Sequence, residues 1–71
     1  MLMEHRHEVE IARMERILRS YGVLTRRRLC EMAGGEHLPV NVRIALEEAV
    51  AAGRILALGD ELVELPPRAG S

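Results

Sequence analysis

Pro39-Val40-Asn41-Val42-Arg43-Ile44-Ala45-Leu46-Glu47-Glu48-Ala49-Val50-Ala51-Ala52-Gly53-Arg54-Ile55 is the stretch on which the reading of this chain turns. Pro39 suits the first position of a helix, where a missing N–H costs nothing. Val42, Ala45, Leu46, Ala49 and Val50 recur at spacings of three and four, which predicts one apolar stripe along that helix. Gly53 stands where a left-handed residue ends a helix, and Arg54 begins an extended run. The stretch therefore predicts a helix that stops at a glycine and passes at once into a strand.

Toward the C-terminus, Arg54-Ile55-Leu56-Ala57-Leu58 and Glu61-Leu62-Val63-Glu64-Leu65 are two β-prone runs around Gly59-Asp60, which predicts a hairpin. Two registers are open. A two-residue turn groups Leu56, Leu58, Val63 and Leu65 on one face and Ile55, Ala57 and Leu62 on the other, while a three-residue turn regroups them. Either way both faces carry aliphatics, more than one core contact requires, so Leu56, Leu58 and Val63 are candidate partner-binding residues. Pro66-Pro67 ends the second strand, and residues 66–71 read as a flexible tail.

Toward the N-terminus, Thr25 offers its hydroxyl as the cap of a helix over residues 26–33, with Leu29, Met32 and Ala33 facing the core. Cys30 reads as a small buried hydrophobe beside them, and Gly34-Gly35 closes the helix. Residues 36–38 link it to the central helix, with Leu38 placed to staple the entry. A first helix spans residues 4–20. Its apolar face is Ile11, Met14, Ile17, Leu18 and Tyr21, extended N-terminally by His7 and Met3. Glu10 to Arg13 and Glu15 to Arg19 are helical ion-pair spacings. Tyr21-Gly22-Val23-Leu24 reads as a break, with Gly22 capping the first helix. Residues 1–9 form an N-terminal helical extension that either frays or packs on a second copy.

Seventy-one residues make one small domain with an almost wholly aliphatic core, since Tyr21 is the only aromatic. A domain of this size buries about 60% of its unfolded surface, so its core is marginal unless packing is efficient or the chain assembles. The single cysteine excludes an internal disulfide framework and fits a reducing compartment. No apolar run approaches the roughly 18 residues of a membrane span, and the charged N-terminus does not read as a signal peptide. Cytoplasm is the expected location. The net charge of −1 argues against a generic polyanion binder. All ten basic residues are arginine, though, so their placement matters more than the sum.

Helix, turn, short helix, turn, longer helix, hairpin is the order of a winged helix-turn-helix domain. Leu24-Thr25-Arg26-Arg27-Arg28-Leu29-Cys30-Glu31-Met32 resembles that superfamily's second-helix pattern of a threonine cap, a polar turn and a leucine. Ala45-Leu46-x-x-Ala49-x-x-x-Gly53-x-Ile55 resembles the end of its third helix and the entry to the wing. The resemblance covers residues 10–65 and implies a mainly α fold with a small β-hairpin, a three-helix winged helix-turn-helix domain. It also implies a third helix lying in the DNA major groove with the wing against the backbone. Carried over by position, the outward residues are Val40, Asn41, Arg43, Ile44 and Glu47, with Arg43 suited to guanine and Asn41 to adenine. The wing departs from the pattern: its tip is Asp60-Glu61, and Arg54 at its base is its only cation.

Arg26, Arg27 and Arg28 occupy the first turn of a helix, where the macrodipole favours anions. A local rule broken this way points to function, because phosphates arriving there meet backbone N–H groups and guanidinium forks together. The bland alternative is a solvated arginine turn partly neutralised by Glu31 or another acid. The candidate DNA-binding residues are thus Thr25, Arg26, Arg27, Arg28, Asn41, Arg43 and Arg54. His5 and His7 do not face each other on a helix and His37 stands alone, so no metal site is expected. No phosphate loop, nucleophile–base set or paired catalytic carboxylates suggest an enzyme or a cofactor. The expected function is DNA binding, as a small transcriptional regulator acting on double-stranded DNA as a homodimer. The alternative is a protein–protein interaction module on the same fold, using the hairpin or the N-terminal helix without touching DNA.

Overall fold

Gly53 ends the central helix through a specific pair of backbone bonds. In the computed structural model, which describes residues 7–34 and 39–67, helix α3 runs Pro39–Ala51. Beyond it the Arg54 N–H donates to the Ala49 carbonyl at 2.9 Å and the Gly53 N–H to the Val50 carbonyl at 3.1 Å. That is a Schellman closure, and it needs the left-handed backbone that Gly53 supplies at φ +81°. The predicted stripe is in place. Val42, Ala45, Leu46 and Ala49 are all buried in the core, with Val50 packed at its margin.

Helix α1 (Glu8–Tyr21) lays Ile11, Met14 and Leu18 into that core, and α2 (Arg26–Gly34) adds Leu29 and Ala33. Thr25 caps α2 as its sequence position requires, its Oγ1 accepting the Arg28 N–H at 3.0 Å. Cys30 is half-buried at the edge of the core. Tyr21, expected on the apolar face of the first helix, is exposed instead. It is the last residue of α1, and the turn at Gly22 leads the chain away before the ring can be covered. The expectations for Met3, His5, Gly35, His37, Leu38 and the tail beyond residue 67 concern positions outside the described residues.

The segment expected as a break contains a strand. β1 (Val23–Thr25) pairs antiparallel with β3 (Leu62–Glu64), which also pairs with β2 (Leu56–Leu58), so the sheet order is β1-β3-β2. Leu58 pairs with Leu62, which leaves Gly59-Asp60-Glu61 as a three-residue turn, opened by Gly59 at φ +78°. Side chains alternate across a strand, so this register decides both faces. Ile55, Ala57, Val63 and Leu24 face the helices, with Val63 fully buried. Val23, Thr25, Leu56, Leu58, Leu62 and Glu64 face out. The result is a winged-helix layout: three helices around one aliphatic core and a three-stranded sheet closing one side.

Candidate nucleic-acid interface

The start of α2 is built from two directions. Thr25 is at once the last residue of β1 and the helix cap, and the Arg26 N–H donates to the Glu61 carbonyl at 2.6 Å, tying the helix to the wing turn. Of the four orphan donors of a helix N-terminus, the sheet and the cap thus satisfy two. Arg27 and Arg28 stand in solvent, with side chains 90% and 62% exposed. Each reaches toward Glu31, at 3.5 Å and 3.7 Å, in exposed pairs that bind their partners weakly. Arg26 behaves differently. It is half-buried, and its Nε is enclosed with no hydrogen-bond partner among the described residues.

On α3, Val40, Arg43, Ile44 and Glu47 are exposed and Asn41 is half-buried. Cys30 reports where Arg43 sits. Burial pushes the Cys30 thiol above its ordinary pKa, while the positive charges of Arg43 and then Arg26 pull it back down. Cations from two successive helices, Arg43 of α3 and Arg26 of α2, therefore both act on this one side chain. The net upward shift disfavours the thiolate and so slows the thiol's reactions. Further along α3 the surface changes character: Val40, Ile44 and Ala51 alternate with Arg43, Glu47 and Glu48 in a shallow open depression. His7, almost fully buried at the start of α1, stands with Nε2 3.9 Å from Glu48 Oε2.

Arg54 has a different position from the one expected of a backbone contact. Its Nη1 and Nη2 donate to the two Glu8 oxygens at 2.7 Å and 2.8 Å, and its Nε and Nη2 donate to Glu15 at 3.0 Å. Two bidentate pairs occupy most of the guanidinium fork. The hydrogen bond it donates to Glu8, then that to Glu15, raises the pKa of Arg54 further, so it is a fixed charge. Glu15, expected to pair with Arg19, pairs here instead, and Glu8 is held rather than left on a fraying extension. Glu8 and Glu15 lie two turns apart on one helical face, a signal the sequence does carry. What it lacks is any local sign of the cation between them.

The predicted partner-binding set is regrouped by the three-residue turn. Leu56 and Leu58 are exposed on the outer sheet face, but Val63 points into the core and is unavailable to a partner. Leu62 takes its place, and Val23 of the unforeseen strand joins them, so four aliphatics from three strands are 36–45% exposed together. Among the described residues no group of three or more His, Cys, Asp or Glu side chains is arranged to hold a metal ion, and no helix is long and apolar enough to cross a membrane. Comparison with protein-family models, with curated proteins and with solved structures returned no match.

Proposed function

We propose that this chain binds double-stranded DNA through its helix-turn-helix, as a small cytoplasmic transcriptional regulator and not as an enzyme. The observation that supports the reading is the exposed arginine turn at the capped start of α2, with Arg43 exposed on the next helix. Arg27 and Arg28 stand free of strong partners, and Arg26 and Arg43 act on the same thiol. A DNA phosphate at the capped end of α2 receives unused backbone N–H groups, the Thr25 hydroxyl proton and the forks of Arg27 and Arg28. With the helix so anchored, Arg43 meets guanine and Asn41 adenine through their bidentate groups. Glu47 limits how far the groove extends along α3, and the acidic wing tip contributes no phosphate contact. Arg54 drops out of the contact set because Glu8 and Glu15 hold it.

About three phosphate contacts give a shallow salt dependence, a slope near −3 in the log–log plot. Fluorescence anisotropy of a labelled mixed-sequence duplex in about 50 mM salt tests the reading. Binding that weakens along that slope is the expected result. A duplex that stays free at protein concentrations of about 100 μM removes the proposal.

A further inference from the structure

We propose that two copies of this chain join edge to edge through β2, antiparallel about a two-fold axis at Ala57, extending two three-stranded sheets into one. The inference stands apart from DNA binding and rests on the free edge of the sheet. β1 packs against α1 and α2, whereas β2 has β3 as its main neighbour and turns its other edge outward. Natural edge strands are usually guarded by charge, proline or a bulge. Leu56-Ala57-Leu58 has only its shortness, three residues, as a guard, and carries no charge or proline.

The tripeptide also reads the same in both directions, which suits a two-fold partner. With Ala57 on the axis, Leu56 stands opposite Leu58 of the second copy and Leu58 opposite its Leu56, all on the outer face. There they continue the aliphatic surface of Leu62 and Val23. Asp60 lies beyond the strand in the turn and Arg54 is already held by Glu8 and Glu15, so the match between copies is the edge backbone and the paired leucines. Stacking the two sheets face on face has no such match. It buries Glu64, which lies between Val23 and Leu56 on the outer face, against its own copy or against leucine. Edge pairing leaves Glu64 in water.

A three-residue edge buries far less than the roughly 800 Å² per partner of a standard stable complex, so the dimer is weak, with a dissociation constant of tens of micromolar or more. Sedimentation equilibrium on the full chain, without DNA, is expected to show a monomer–dimer equilibrium between about 10 and 500 μM. The Leu58→Lys variant is expected to stay monomeric with an unchanged circular dichroism spectrum. Cysteine cross-linking tests the register. In a Cys30→Ser background, a mixture of Leu56→Cys and Leu58→Cys chains should form disulfide dimers at least about fivefold faster than either variant alone. Residues directly opposite lie within disulfide reach, and diagonal ones do not. A wild-type chain that is monomeric across the whole range overturns the proposal. So do single variants that cross-link as fast as the mixture.

Discussion

Arg54 and the Arg26–Arg28 turn carry the same side chain and have opposite fates. Arg54 is enclosed by two carboxylates at 2.7–3.0 Å, and it ties α1 to the junction between α3 and β2. Arg27 and Arg28 share one exposed glutamate at 3.5 Å or more, and Arg26 leaves a buried nitrogen unpaired. Charge alone does not separate an arginine that holds the fold from one that is available to a ligand. What separates them is whether the fork is filled.

The largest effect expected from that contrast is on stability. Arg54→Met leaves Glu8 and Glu15 facing each other without a cation between them. Charge-assisted hydrogen bonds are worth about 1.5–3 kcal/mol each, and solvent screening at a site one-third exposed discounts the total to about 2 kcal/mol. For a domain of this size that is a fall in melting temperature on the order of 10 °C, read by circular dichroism. Because the pKa of Arg54 is raised, its contribution is fully present below the ordinary arginine value and is lost only as pH climbs past the folded one. Between about pH 6 and pH 9 the Arg54 charge therefore adds no slope to the stability. A melting temperature within about 2 °C of wild type would mean that the clamp is no more than a surface pair.

Next in size is an effect on recognition. Arg43→Ala should cost about 1–3 kcal/mol of discrimination at one base pair and leave binding to other sequences nearly unchanged, as read by competition with single-substitution duplexes. Arg27→Ala should act in the complementary way. It weakens binding several-fold on every sequence and reduces the salt slope by about 1. It leaves stability within about 0.5 kcal/mol, since removing a cation from the positive end of a helix offsets the loss of the Glu31 pair. If Arg27→Ala instead destabilised the fold as much as Arg54→Met, the contrast between the two regions would collapse.

The same contrast explains which parts of the molecule the sequence makes legible. The α3 stripe, the stop at Gly53 and the cap at Thr25 depend on residues within one or two turns of each other, and all three read directly. β1 does not, because its hydrogen-bond partner lies in β3, and three residues around Leu24 carry no period of their own. The hairpin reads as a hairpin, but Gly59-Asp60 permits two turn lengths, and the choice between them moved Val63 from the partner face to the core. The Glu8–Arg54–Glu15 clamp joins residues 39 and 46 apart, beyond any local pattern. At the candidate site, the arginine turn was visible as a broken dipole rule. That Arg43 and Arg26 act on one thiol needed the packing of α2 on α3.

The smallest expected effect tests whether Arg43 stands close to the start of α2. Burial holds the Cys30 thiol above its ordinary pKa, and Arg43 and Arg26 partly counteract it. The folded state therefore favours the protonated thiol. That preference adds stability below the ordinary thiol pKa, and the addition is lost as pH rises through the folded value. In the pH profile of Cys30 alkylation by iodoacetamide, Arg43→Ala should move the midpoint upward and slow the reaction about two- to threefold at pH 8, by removing a charge that favours the thiolate. Arg27→Ala, on a side chain pointing into solvent, should leave the midpoint where it was. Equal shifts from both variants would mean that the thiol senses a diffuse positive field. Arg43 would then have no special nearness to the start of α2, and the arginine turn would end where that helix begins to bury its side chains.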